Sequence, residues 1–89
     1  MQLRATVHGK VQGVWFRAWT RDTATNLGLT GWVRNLPSGD VETLADGTRE
    51  QLEEFILRLW DGPPLARVTD IRSEWSEADN DFTAFTVRR

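Results

Sequence analysis

The 89-residue chain contains no cysteine, a single histidine and a single lysine. Without cysteine it can form no disulfide, offers no thiol nucleophile and cannot complete the common zinc-binding patterns. It also has no long apolar run, and residues 1–7 contain no secretory-type apolar stretch with a small-residue cleavage site. We therefore expect no membrane association, a cytoplasmic location, and chemistry performed by groups other than thiols and metal clusters.

An excess of basic charge is also missing, because the formal net charge is −2 and the pI is about 5.3. Proteins that bind nucleic-acid backbones usually show an excess or a clustering of base. The five tryptophans could stack on bases, but the aromatic strand signature of RNA-recognition modules is absent. We expect no nucleic-acid partner, and we expect most tryptophans to lie in the core, with Trp15 at the rim of a pocket.

The length predicts one domain over residues 1–89, because a chain this short cannot divide its buried surface between two cores. Alternating apolar residues predict strands at residues 2–7, 30–35, 41–46, 67–75 and 82–88, with Gly9 ending the first. Apolar residues at helical spacing predict a helix over 16–27, stopped by Gly28, and another from the capping box at 48–51 to the break at Gly62.

This order of elements, βαββαβ with a short fifth strand, is the pattern of a ferredoxin-like α/β sandwich. The fold class is α+β, with two helices on one face of a mostly antiparallel sheet. In this topology the first two strands run parallel with the third between them, so their carboxyl ends lie at the same sheet edge. Two strand spacings of about 4.8 Å separate those ends by about 10 Å. The loop after the first strand should therefore meet Asn35, which ends the second strand.

That loop has the properties of an anion-binding cradle. Gly9 and Gly13 permit tight backbone turns, the following helix contributes its positive N-terminal end, and Arg17 adds a planar fork of donors. An arginine in the first turn of a helix departs from the usual preference for acids there, which suggests a bound anion. The candidate phosphate-binding residues are Lys10, Val11, Gln12, Gly13, Val14, Trp15, Phe16 and Arg17.

Other polar residues have structural interpretations that we favour. His8 ends a strand with no evident aspartate or serine partner, so we expect it to be structural rather than a general base. Glu53 and Glu54 occupy adjacent helical positions and point in different directions, which is typical of a solvated helix face and not of a catalytic pair. Asn35 alone would be read as a turn residue, and its functional interpretation depends on Arg17.

Three motifs in order resemble the acylphosphatase family. They are Val-x-Gly-x-Val-Gln-Gly-Val-x-Phe-Arg at 7–17, Ala-x-x-Leu-Gly-Leu-x-Gly-Trp-Val-Arg-Asn at 24–35, and Gly-Pro-Pro-x-Ala-x-Val at 62–68. The resemblance covers about residues 4–72 and is loose in the C-terminal third. The bulky Trp15 occupies a variable position of the first motif, which puts substrate preference in question.

The resemblance implies hydrolysis of acyl phosphates to a carboxylate and inorganic phosphate. The loop amides and Arg17 would bind the phosphate, and Asn35 would position the attacking water. It implies a small-molecule substrate, no metal and no cofactor, and we expect a monomer.

Two alternatives remain at this point. One is a non-catalytic ferredoxin-like module that binds a small anion or a protein partner. The other is the acylphosphatase-like domain of a larger carbamoyl-transfer maturation factor, which the short chain and the lack of cysteine-rich zinc segments disfavour.

Overall fold

A computed structural model describes residues 1–78 and 82–88 of the chain. Its elements are the strands β1 (Gln2–Lys10), β2 (Thr30–Asn35), β3 (Val41–Asp46), β4 (Arg67–Ser76) and β5 (Phe85–Arg88), and the helices α1 (Phe16–Asn26) and α2 (Arg49–Asp61). The strands form one sheet in the order β4-β1-β3-β2-β5. All neighbouring strands pair antiparallel except β2 and β5, which pair parallel. The predicted ferredoxin-like α+β sandwich with an added fifth strand is confirmed.

The hydrophobic core lies between the sheet and the two helices. Alternate residues of β1, Leu3, Ala5 and Val7, are fully buried, and so are Phe55 and Leu59 on α2. Register places Val7 opposite Val41, and Val41 opposite Asn35. Directly paired residues point to the same face of a sheet, so Asn35 shares the helix-covered face with Val7. The carboxyl ends of β1 and β2 lie on either side of β3, as the topology predicts.

The helix boundaries follow local signals closely. At α2, Thr48 Oγ1 accepts from Gln51 N while Gln51 Oε1 accepts from Thr48 N, which is the predicted capping box. Just past the C-terminus of α1, Gly28 adopts φ 79°, as expected for a glycine at that position. On the solvated face of α2, Glu53 and Glu54 pair with Arg49 and Arg58 one turn away.

Two predicted strand limits are wrong. β1 does not end at Gly9 but continues to Lys10, because a bulge between His8 and Gly9 lets pairing with β4 resume. At φ 128°, a Cβ on Gly9 would lie 2.1 Å from Arg67 O, so only glycine permits this approach. β5 begins at Phe85 rather than residue 82, and its first pair with β2 is Phe85 with Gly31.

The tryptophans are less uniformly buried than predicted. Trp32 is buried, and Trp19 and Trp75 pack partly against the core, but Trp60 is 45% exposed on α2. Trp32 lies on the sheet face away from the helices, where the guanidinium groups of Arg34 and Arg88 cover its ring at 5.1 and 4.9 Å. Stacked arginines can thus bury an indole without a second layer of helices.

Candidate active site

A cleft of about 400 Å³ opens where the N-terminus of α1 meets the carboxyl ends of β2 and β5. Both residues singled out from the sequence, Arg17 and Asn35, line it. The remaining lining residues come from the loop after β1, from the first turns of α1 and from β5: Val11, Gly13, Trp15, Phe16, Ala18, Arg21 and Val87. The predicted meeting of the glycine-containing loop with Asn35 therefore occurs at this cleft.

The loop presents a series of unpaired backbone donors. In the described part of the chain, the N–H groups from Gln12 to Ala18 donate to no backbone carbonyl. Left-handed conformations at Gly13 (φ 74°) and Trp15 (φ 64°) curl the backbone between them. Successive N–H groups in such a curl, continued into the N-terminus of a helix, form a concave surface that favours an anion.

Arg17 lies in the first turn of α1, and its side chain reaches across the cleft to β5. Its Nη1 donates to the carbonyl oxygen of Arg88 at 3.3 Å. Among the described residues Arg17 has no carboxylate partner, whereas Arg21 pairs with Asp22 and Arg34 pairs with Glu42. A guanidinium has five N–H donors, so Arg17 keeps both its charge and most of its donors for a ligand.

Asn35 is the last residue of β2 and belongs to the helix-covered face of the sheet. Its Oδ1 is buried and has no hydrogen-bond partner among the described residues. Buried polar atoms are nearly always paired in folded proteins. This oxygen, in a cleft that Arg17 also lines, is therefore a candidate position for holding a ligand or a water.

A set of hydrogen bonds that we call the loop anchor ties the cradle to the hairpin after Asn35. Gln12 Nε2 donates to Leu36 O at 2.9 Å and to Asp40 O at 2.8 Å. Leu36 N also donates to Asp40 O, at 2.8 Å, which closes the hairpin loop. The loop anchor therefore holds the amide series and the end of β2 in one relative position.

The interpretation of His8 as a side chain without an aspartate partner is wrong. His8 Nδ1 lies 3.0 Å from Asp40 Oδ1. The two residues are far apart in sequence, and the partnership arises only because β1 and the β2–β3 hairpin loop end at the same sheet edge. The contact adds a second link from β1 to the loop anchor and supports a structural role.

The sequence-predicted site residues divide into two groups. Val11, Gly13, Trp15, Phe16, Arg17 and Asn35 line the cleft. Lys10 is instead an exposed residue that pairs with Arg67 at the end of β1, the side chain of Gln12 turns to the hairpin, and the side chain of Val14 is buried in the core. Of these three, Gln12 and Val14 can reach a ligand only through their backbone.

Three cleft residues were missed from the sequence: Ala18, Arg21 and Val87. Arg21 follows Arg17 by four positions, and residues so spaced share a helix face, so the helical pattern could have indicated it. Val87 carried no such signal, because the parallel pairing of β5 with β2 is a long-range contact. As for metals, no three histidine, cysteine, aspartate or glutamate side chains within residues 1–78 and 82–88 cluster as a metal site requires.

The family model described as "Acylphosphatase" matches residues 3–87. A protein named acylphosphatase from Nitrosococcus oceani is 52% identical over 86 residues, which cover 97% of this chain and 96% of that protein.

Solved structures agree with this match. The crystal structure of acylphosphatase from Bacillus subtilis superposes with a TM-score of 0.96 at 36% identity, covering 99% of this chain and 98% of the other. The structure of an acylphosphatase from Coxiella burnetii superposes with a TM-score of 0.92 at 45% identity, covering 98% of this chain and 90% of the other.

Along the described residues, no helix is both long and apolar enough to cross a membrane.

Proposed function

This chain belongs to the acylphosphatase family of hydrolases, and we propose that it cleaves the carboxyl-phosphate bond of small acyl phosphates by direct attack of water. The products are a carboxylate and inorganic phosphate. One observation carries the proposal: among the residues that the structure describes, backbone amides without a carbonyl partner, an arginine without a carboxylate partner and an asparagine oxygen without a hydrogen-bond partner belong to the same cleft. That combination is suited to hold an anion beside a water.

The phosphoryl group binds to the amides from Gln12 to Ala18 and to the guanidinium of Arg17. Charge spreads over the equatorial oxygens of a phosphoryl group during transfer, and prearranged donors stabilise that charge most. The carbonyl of Arg88 holds Arg17 Nη1 from the side of β5. This contact limits the positions of the guanidinium before substrate arrives, which lowers the ordering cost of binding.

The attacking water is held by Asn35. Its buried Oδ1 accepts a hydrogen bond from the water, which orients a lone pair of the water oxygen toward phosphorus. The water oxygen forms the new bond to phosphorus while the bond from phosphorus to the carboxyl oxygen breaks, and the carboxylate leaves with the bonding electrons. One proton of the water passes to an oxygen of the phosphoryl group, so the phosphate product is dihydrogen phosphate, which then equilibrates with solvent. Positioning of this kind accounts for a large part of the catalysis of phosphoryl transfer.

The leaving group explains why the cleft can work without a strong proton donor. The conjugate acid of a carboxylate has a pKa of about 4, so the group departs as an anion near neutral pH. Among the described residues that line the cleft, the ionisable ones are Arg17 and Arg21, and arginine does not give up its proton in proteins. We therefore propose a metal-independent reaction with a marked preference for acyl phosphates over phosphate monoesters.

The decisive experiment is hydrolysis of benzoyl phosphate in the presence of a chelator, with wild type, Arg17→Ala and Arg58→Ala. We expect activity in the wild type and a loss of roughly 10²–10³-fold or more in Arg17→Ala, since one transition-state donor is removed. Arg58 pairs with Glu54 on the far helix, so its variant is the matched control and should keep full activity.

Other outcomes would contradict the proposal in different ways. A folded wild-type protein without activity would favour the non-catalytic anion-binding or partner-binding module. Comparable rates on p-nitrophenyl phosphate or ATP would contradict the proposed mechanism. A monomeric state and a cytoplasmic location stay predictions, the first of which light scattering during size-exclusion chromatography can test.

A further inference from the structure

Trp15 is an unusual residue for the place it occupies. It caps the N-terminus of α1 with φ 64° and ψ 19°, a left-handed conformation that glycine and asparagine adopt readily and large side chains rarely do. The backbone of Trp15 stabilises the first turn of α1, because Trp15 O accepts a hydrogen bond from Trp19 N at 3.0 Å. The indole contributes little to the packing of the helix or of the core, since the residue is 81% exposed. A strained and exposed aromatic residue at an active-site cleft points to a role in binding.

The cleft is larger than the group that Arg17 and the amides hold. Its volume of about 400 Å³ lies in the range of pockets that enclose a whole small-molecule ligand, and a phosphoryl group is only one phosphorus and its oxygens. Besides Arg17 and Asn35, the lining of the cleft includes Trp15 and two residues with small apolar side chains, Ala18 and Val87. The remaining space is therefore available to the acyl group of the substrate.

The charges near this space favour an uncharged acyl group. Arg21 also lines the cleft, but its Nε lies 3.1 Å from Asp22 Oδ1, and this nearby carboxylate weakens the attraction of Arg21 for an anion. A second anionic group on the substrate would meet less attraction there than at Arg17. A flat, uncharged ring could instead stack on the indole, and aromatic pairs prefer such offset arrangements.

We propose that Trp15, Ala18 and Val87 form a subsite for the acyl group, and that the indole of Trp15 selects aromatic acyl phosphates over short aliphatic ones. This inference rests on the proposed function, because the phosphate must be held at Arg17 for the acyl group to reach Trp15. The acyl group contacts the indole equally before and during phosphorus–oxygen cleavage. Contacts of that kind lower KM and leave kcat nearly unchanged.

The test compares benzoyl phosphate with acetyl phosphate in the wild type, Trp15→Asn, Trp15→Phe and Trp60→Ala. Asparagine tolerates the left-handed backbone, so Trp15→Asn removes the ring and keeps the helix cap. We expect its KM for benzoyl phosphate to rise roughly tenfold, the size of one lost aromatic pair with some apolar burial. Its KM for acetyl phosphate should rise much less than its KM for benzoyl phosphate, because the substitution keeps the backbone N–H that residue 15 contributes to the cradle.

The other variants complete the test. Trp15→Phe keeps a ring and should restore most of the discrimination, while Trp60→Ala removes an exposed indole from α2 and should change neither substrate. An unchanged ratio of the two KM values in Trp15→Asn would overturn the subsite while leaving the acylphosphatase function intact. An equal rise of KM for both substrates would also overturn the subsite, because it would mean that the side chain of Trp15 supports the phosphate cradle instead of the acyl group. Absence of wild-type activity on both substrates would instead contradict the proposed function.

Discussion

The two helices of this protein begin in opposite ways. At α2, Thr48 adopts an extended conformation, the capping box pairs two backbone donors, and Glu50 places an acid in the first turn. At α1, Trp15 adopts a left-handed conformation, its side chain has no oxygen to accept from the backbone, and Arg17 places a cation in the first turn. The chain completes the N-terminus of α2 itself, whereas the N–H groups at the N-terminus of α1 donate to no backbone carbonyl among the described residues.

The difference shows how stability and function are distributed in a small fold. A complete cap stabilises a helix by about 1 kcal/mol, and an acid in the first turn adds a few tenths or more. At α1 the chain forgoes both contributions and keeps a row of N–H donors with a guanidinium beside them. The incomplete N-terminus of α1 beside the candidate active-site cleft is therefore what the proposed anion binding requires, and the contrast with α2 can be tested by substitution.

We expect the largest effect when the first turn of α1 receives a negative charge, as the first turn of α2 has at Glu50. We expect Arg17→Glu to lower kcat/KM for benzoyl phosphate by more than about 10³-fold, since it replaces a donor with a charge that repels phosphate. It should not unfold the protein, because acids are favourable at a helix N-terminus. The mirror variant Glu50→Arg should keep full activity and lose about 0.3–1 kcal/mol of stability. Activity assays with urea unfolding measure both effects.

The next variant separates the two functions assigned to the cleft. Asn35→Ala should lower kcat roughly 10²-fold, because it removes the group that we propose orients the water. Inhibition by inorganic phosphate should stay within about twofold of wild type, since the amides and Arg17 are intact. A parallel loss of phosphate inhibition would assign Asn35 to phosphate binding instead.

Two glutamines, one near each helix N-terminus, make side-chain hydrogen bonds to distant backbone carbonyls, and their alanine variants can be compared. Gln12 Nε2 donates to two carbonyls of the hairpin loop, and Gln51 Nε2 donates to Leu27 O at 2.9 Å. Each alanine variant should lose about 1–2 kcal/mol of unfolding free energy. Only Gln12→Ala should also lower kcat/KM, by roughly tenfold, because small misplacements of reacting groups are costly. Equal activity in the two variants would contradict a positioning role for the loop anchor.

We expect the smallest effect from a substitution in the capping box at the N-terminus of α2. Thr48→Ala removes the acceptor for Gln51 N and should cost about 1 kcal/mol. For a domain of this size, that change lowers Tm by about 4–8 °C. Activity at 25 °C should not change, as calorimetry and the benzoyl phosphate assay can show together. A measurable loss of activity would mean that α2 is coupled to the cleft.

Local sequence signals predicted most elements because their causes are local. The capping box of Thr48 and Gln51, the stop at Gly28 and the alternation of Leu3, Ala5 and Val7 each depend on residues within a few positions. The signals failed where a distant partner decided the outcome. β1 continues past Gly9 because β4 lies beside it, and β5 starts only at Phe85, where its parallel pairing with Gly31 of β2 begins.

The candidate site also contains residues that local signals predicted and residues that only long-range contacts bring to it. Gly13 and Arg17 indicate an anion cradle from the sequence alone, because the conformational freedom of glycine and the helix N-terminus are properties of one segment. Asn35 could be joined to them because the order of elements already implies a topology. Val87 and the partnership of His8 with Asp40 could not be predicted, since neither has a signal within its own segment.

The sequence by itself determined the order of the elements, both helix N-termini and the identity of the candidate catalytic residues, because propensity, capping and spacing act along the chain. Only the tertiary structure decided that Arg17 reaches the carbonyl of Arg88, that Gln12 turns away from the cleft to the hairpin, and that Val87 of β5 lines the cleft. These are contacts between segments far apart in sequence. Their geometry is set by sheet register and by packing of the common core, neither of which can be read from any one segment.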